Sequence, residues 1–254
     1  MKKVIFLFLL VLVGFGAYWL SSQKVAPTAS NSPEAKLKIF DTHSKEGNDS
    51  LGYTINLTYP QIFGLPTSTQ NEANRLIQDF ITTTTAQFKL ATADFKSASG
   101  SPASELQIDY TLTALNTKIL SLEFNVYEYM SGAAHPNSFI HTFNYNLKEL
   151  KLVTSLQDVF ASGANYLPIV SELSRDALKE QLKAGLPGLE SDILSGTEPK
   201  DENFKEFVLT THGLKLIFNP YQVGPYVLGG QQVWIPYEKL KDVLPSNSFL
   251  LDYK

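Results

Sequence analysis

None of the 254 residues is a cysteine, so no disulfide can staple the fold, no thiolate can act as a nucleophile, and no lipid can be attached to a lipoprotein cysteine. The fold has to rest on its hydrophobic core. A surplus of either charge is also missing: 21 Lys and Arg against 25 Asp and Glu leave a net charge of -4, spread along the chain. That excludes the basic face nucleic-acid binding demands, and it suits a cationic partner better than an anionic polymer. The four histidines, His43, His135, His141 and His212, are scattered. They show neither a His-Glu-x-x-His pattern nor a paired helical spacing, so no metal site is expected. Gly-x-Gly-x-x-Gly and Gly-x-x-x-x-Gly-Lys are absent, which speaks against a nucleotide. A Gly-x-Ser-x-Gly elbow is absent too. The early Ser-x-x-Lys, Ser21 to Lys24, lies in a polar stretch where nothing can wall off water. No segment singles out a pair of carboxylates for glycoside cleavage. The expectation is a non-catalytic protein without a cofactor.

What is present begins at the N-terminus. Lys2 and Lys3 precede an uncharged apolar run from Val4 to Leu20, and the next cation is Lys24. By the positive-inside bias, residues 1–3 form a cytoplasmic stub and the rest of the chain is exported. Seventeen residues rise about 26 Å, close to the hydrocarbon thickness, and Tyr18 and Trp19 sit where an interfacial belt belongs. Residues 4–20 therefore read as a single-pass anchor, with a cleaved signal peptide as the alternative. Residues 21–34 have the composition of a solvated tether.

The remainder reads as α+β. Leu37 and Ile39, then Tyr53, Ile55, Leu57 and Tyr59, alternate with polar neighbours around Gly47-Asn48-Asp49, which predicts a hairpin ended by a loop at Pro60 and Pro66. Ala73, Leu76, Ile77, Phe80, Ile81, Thr84 and Phe88 make a helical stripe that must dock on a sheet. After a small-residue loop at 96–104, three alternating runs centred on Ile108, Phe124 and Phe143 predict an antiparallel meander. A second helix carries Leu167, Val170, Leu173, Ala177, Leu178 and Leu182 and stops at Gly185-Leu186-Pro187. Two more strands around Leu216 and Val233 follow, then a short helix from Tyr237 to Leu244. No strand-helix-strand alternation runs through the chain, so antiparallel sheets with two packed amphipathic helices are expected.

Three features carry recognition chemistry, each with a structural alternative. Ser131 to Asn137 is a small-residue turn whose His135 can donate to a sugar hydroxyl or carboxylate, or simply bond local carbonyls. His141 shares a strand face with Phe139, Phe143 and Tyr145 and reads first as a satisfied core or rim residue. Phe218 to Tyr226 is a proline- and glycine-fixed loop whose tyrosines form either a rigid contact surface or plugs in the core.

Gly132 to Asn137, the run Phe143 to Leu147 leading into Lys151-Leu152-Val153-Thr154, and above all Phe218 to Tyr226 with Ile235-Pro236-Tyr237, resemble the RsiV-type extracytoplasmic domain family. That family includes the lysozyme-sensing ectodomain of the anti-sigma factor RsiV and the accessory domain of the peptidoglycan deacetylase PdaC. The resemblance implies an α+β domain with an N-terminal strand-helix half, 35–130, and a C-terminal half, 131–254. It also implies a partner that is a cell-wall glycan or a lysozyme-like muramidase. Tyr221, Gln222, Pro225 and Tyr226 are the residues expected to touch it, with His135 at the rim. With three residues before the apolar run and no deacetylase domain in the sequence, the signalling and catalytic modules of the relatives are not expected here. An assembly or structural role beside a neighbouring envelope protein, or a cryptic cell-wall hydrolase or deacetylase accessory, is the alternative.

Overall fold

Alternating apolar and polar residues build a hairpin from β1 (Lys38–Asn48) and β2 (Tyr53–Phe63), paired along their full length from Lys38 opposite Phe63 to Asn48 opposite Tyr53. The computed structural model describes residues 37–94, 102–182, 188–248 and 250–251. The expected anchor at 4–20, the tether at 21–34, most of the loop at 96–104 and the stop at Gly185-Leu186-Pro187 lie outside the described residues. Among the described residues no helix is long and apolar enough to cross a membrane.

Pro60 belongs to β2, opposite Asp41, rather than to a loop. A proline inside a strand is tolerated where no neighbour needs its N–H. That condition holds because β3 (Ser104–Leu115) pairs with β2 only as far as Leu57.

The helical stripe forms α1 (Thr67–Asp94), with Ala73, Ile77, Ile81, Thr84 and Phe88 buried on one face. Packing on the sheet carries the β-branched run Thr82 to Thr85 through the helix despite its poor propensity. Since α1 returns the chain across the sheet, β3 runs parallel to β2, from Tyr53 beside Ser104 to Leu57 beside Ile108. The expectation of purely antiparallel sheets is corrected here: the sheet is mixed. Alternation shows which residues are strands but not which strands become neighbours.

The meander forms as expected, with β4 (Ile119–Tyr129) and β5 (Asn137–Asn146) antiparallel to their predecessors. A short β6 (Lys151–Val153), too brief to show alternation, completes the order β1-β2-β3-β4-β5-β6. Ile55, Ile77, Phe88, Ile108, Leu122 and Phe124 fill the core between α1 and this sheet.

The C-terminal part packs α2 (Tyr166–Leu182) and α3 (Glu190–Gly196) against a three-stranded sheet of β7 (Phe207–Leu209), β8 (Gly213–Phe218) and β9 (Gln231–Pro236). Helix α3 and strand β7 were not expected, and both are short. The expected helix over Tyr237 to Leu244 is instead a single 3-10 turn, Tyr237–Leu240. This second core also holds Ala114 and Ile119 from the large sheet, so the two parts share a seam. At the seam Lys215 Nζ lies 2.8 Å from Glu123 Oε1, both largely shielded from water.

Three asparagines take the place of missing strands. A side-chain amide offers an N–H donor and a carbonyl acceptor side by side, so it can pair with both groups of a peptide at an edge that would otherwise be left open. Asn74 of α1 accepts from Ile62 N (2.7 Å) and donates to Ile62 O (2.8 Å), where β3 has left β2. Asn144 of β5 accepts from Leu209 N (2.9 Å) and donates to Phe207 O (2.7 Å), joining the two sheets. Asn219, just after β8, does the same at Ile140 of β5, with 2.8 Å to its N–H and 3.1 Å to its carbonyl.

Candidate functional site

Strand β5 pairs with β6 only over Asn144 to Asn146, so its stretch from 137 to 143 has an open outer edge. Side chains from the C-terminal part cover it. Asn219 clamps Ile140, and Glu206 accepts from Thr142 N at 2.9 Å and from Thr142 Oγ1 at 3.0 Å. Burial pushes the Glu206 carboxyl up, but hydrogen bonds from His141 and Thr142 more than offset this and hold it below the usual carboxylate range. His141 is half-buried, stacked on Phe80 of α1 at 4.4 Å, with Nδ1 3.4 Å from Glu206 Oε1. The reading of it as a satisfied rim residue holds.

The clamp sets the loop that follows. Gln222 N donates to Asn219 O (3.1 Å), closing a turn with Pro220 second and Tyr221 third. Tyr221 has φ 72°, a left-handed conformation that turns normally give to glycine or asparagine and that costs a bulky residue about 1–2 kcal/mol. It is nevertheless 63% exposed. A strained backbone that holds an aromatic ring in solvent is a feature that concentrates at binding sites.

Three of the expected site residues converge here. The His135 ring stacks on Tyr226 with centroids 4.0 Å apart, and Tyr221 lies 5.5 Å from Tyr226. Tyr226 donates from its hydroxyl to Pro136 O (2.7 Å), while Tyr221 Oη and His135 Nε2 are 3.4 Å apart. Gly132, at φ 84°, makes the turn that delivers His135. Pro225 is exposed beside them and leads into the 3-10 turn Tyr226–Leu228. Gln222 turns inward: its amide donates to Gly196 O (3.3 Å) and Asn203 O (2.8 Å), bracing the loop on α3 rather than reaching solvent. Gly196 is required there, since a Cβ would lie 2.0 Å from Gln222 O.

Beside the aromatic cluster runs a groove of about 550 Å³. The loop from Tyr226 to Gly230 forms one wall, and Gln107, Asp109, Asn125 and Tyr127 on the open face of the sheet form its floor. Sequence reasoning missed these floor residues. The polar phase of β3 and β4 was their signal, but alternation alone does not say that a loop some hundred residues later overhangs them. Among the described residues no three His, Cys, Asp or Glu side chains are grouped to hold a metal ion.

Residues 45–138 match the family model described as Deacetylase PdaC, and residues 157–238 the model described as Protein of unknown function (DUF3298). The two matched segments follow one another along the chain. His135 lies in the first segment, Tyr221 and Tyr226 in the second, so the aromatic cluster is built across both. The peptidoglycan-N-acetylmuramic acid deacetylase PdaC of Bacillus subtilis is 28% identical over 213 residues, 83% of this chain and 45% of that protein. The chain thus spans about half the length of that relative. A DUF3298 family member from Bacteroides fragilis shares the fold, with a TM-score of 0.65, 18% identity, and coverage of 88% of this chain and 99% of that one. A DUF3298 family protein from Pseudomonas aeruginosa shares it with a TM-score of 0.60, 16% identity, and coverage of 85% and 98%.

The clamp is directly testable. In Asn219→Ala the Ile140 amide is expected to exchange about tenfold faster, the factor that ~1.4 kcal/mol represents, while β4 amides keep their protection. Hydrogen exchange followed by NMR measures both.

Proposed function

We propose that this chain is a cell-envelope binding domain, held outside the cytoplasm by its N-terminal apolar segment, that recognises peptidoglycan glycan on the cluster of His135, Tyr221 and Tyr226. The observation that carries this reading is the strained, exposed Tyr221 packed with His135 against Tyr226, which itself lines the groove together with the amides of Gln107, Asn125 and Asn219. Rigid aromatic faces pack against sugar rings at little entropic cost, and amides and hydroxyls pair with sugar hydroxyl and acetamido groups. The relation to a peptidoglycan deacetylase supports the choice of ligand. No step of bond cleavage is assigned to the cluster.

Pull-down of the full chain on purified peptidoglycan tests it. Tyr226→Ala, which removes the stack on His135 and the bond to Pro136 O, is expected to weaken binding by ~2 kcal/mol, about thirtyfold in Kd. Leu90→Ala, on the exposed side of α1, leaves it unchanged. Equal retention of the Tyr226 variant overturns the reading. So does binding to lysozyme in a parallel titration with none to peptidoglycan, which would assign the cluster to a muramidase partner.

A further inference from the structure

The strand register aligns a row of side chains straight across the large sheet. Lys45 lies opposite Asn56, Asn56 beside Gln107, Gln107 opposite Tyr127, and Tyr127 opposite Ser138. Two residues further along, a second row on the same face places His43 opposite Thr58, Asp109 opposite Asn125, and Asn125 opposite Ile140, which Asn219 clamps. Side chains two apart in a strand share a face, so both rows stand on the side of the sheet away from α1.

These rows hold more than the groove beside Tyr226. A second groove, about 390 Å³, lies at the β1–β2 end and takes in Lys45, Asn56 and Thr58. The two grooves meet at Gln107 and Asp109, which line both. Five strands at ~4.8 Å spacing make them together about 19 Å long, more than a single sugar unit fills.

We infer that this open face is a track for an extended oligosaccharide of glucosamine type, running from the Tyr226 loop to Asn56 and Thr58. The inference rests on the glycan reading above and extends it from an aromatic rim to a chain-length-dependent site. The lining decides the chemistry. Its floor offers the amides of Gln107 and Asn125 and the ring of Tyr127, beside an apolar wall from Ile140, Pro220, Val227 and Leu228, and its far end adds Asn56 and Thr58; amides and hydroxyls beside apolar faces match the two kinds of surface a pyranose presents. Among the described residues lining the half beside Tyr226, Asp109 is the sole charged side chain, and Lys45 lines the half beyond it. Asn125 donates to Asp109 Oδ1 at 2.7 Å and orients the carboxylate. Sugar units seated beside Asp109 carry acetamido or amino groups and no free carboxylate, since a second anion there would be repelled; a muramic acid unit meets that condition where its lactyl carboxyl is amide-linked to peptide.

Titration calorimetry of the full chain with β-1,4-linked N-acetylglucosamine oligomers is the test. The hexamer is expected to bind at least about tenfold tighter than the trimer, since it alone fills the track from end to end. Asn56→Trp, which fills the β2 end, is expected to remove that gain and leave trimer affinity and melting temperature unchanged. A hexamer with a carboxylate on alternate units is expected to bind about tenfold more weakly. Equal affinity for trimer and hexamer, an Asn56→Trp variant that still prefers the hexamer, or undiminished binding of the carboxylated hexamer overturns the track. If peptidoglycan retention nevertheless depends on Tyr226, the aromatic-rim reading survives that failure. Loss of all saccharide binding together with Tyr226-independent retention overturns both.

Discussion

Asn144→Ala is expected to cost about 3–5 kcal/mol of folding free energy, since three buried hydrogen bonds are lost and each orphaned group costs ~1–3 kcal/mol, not fully additively. The Asn144 amide joins the two sheets. It accepts from Leu209 N and from Ser121 Oγ, the latter at 2.8 Å, and donates to Phe207 O at 2.7 Å. Asn144 and Ser121 are almost completely excluded from water, so water cannot take over the bonds that alanine drops. For a domain with ordinary stability of ~5–15 kcal/mol this is a large fraction. Urea denaturation measures it: the midpoint should fall steeply with the slope unchanged. Asn144→Asp discriminates the mechanism. It keeps the acceptor for Leu209 N but sets a carboxylate against Phe207 O, so it should also be strongly destabilised. A loss below ~1 kcal/mol for either variant would show that packing, not the amide, holds β7 to the large sheet.

The second large effect lies at the same seam. Glu123 is 6% exposed and Lys215 18%, and Thr113 Oγ1 donates to the same Glu123 oxygen at 3.1 Å. Glu123→Ala leaves a shielded ammonium without its counter-charge, a change that costs ~3–5 kcal/mol for a buried pair. The double variant Glu123→Leu with Lys215→Met replaces both charges by apolar side chains of similar length. It is expected to recover most of the loss, because a buried ion pair and a packed apolar pair are often close in free energy. Thermal unfolding of the two single variants and the double variant gives the coupling directly. A double variant as unstable as Glu123→Ala would mean that the pair contributes through geometry that Leu and Met cannot reproduce.

The elements were largely legible in the residues, and for a simple reason. Leu106, Ile108, Phe124 and Val126 alternate because each strand has one face on α1, and Ala73, Ile77, Ile81 and Phe88 recur at helical spacing because one stripe meets that sheet. Short elements escaped: β6 and β7 have three residues each, less than two periods of anything. Pro60 misled because a proline marks a loop unless its neighbour is missing, and the early departure of β3 from β2 is not a local property. In the candidate site, the loop from Phe218 to Tyr226 stood out through its prolines, glycines and tyrosines. The inward turn of Gln222 did not, since only the position of Gly196 and Asn203 explains it.

The residue order by itself determined what each segment can be: which positions face a core, where turns are affordable, and that a cysteine-free chain must stand on packing alone. Which segments meet was decided only in the tertiary structure. Parallel pairing of β2 with β3, the asparagine clamps at Ile62, Ile140 and β7, and the stack of His135 on Tyr226 all join residues distant in the chain. Periodicity follows from backbone geometry within a few residues. Adjacency follows from which long-range closure buries the most apolar surface while leaving the fewest peptide groups unpaired, and that balance is struck over the whole domain.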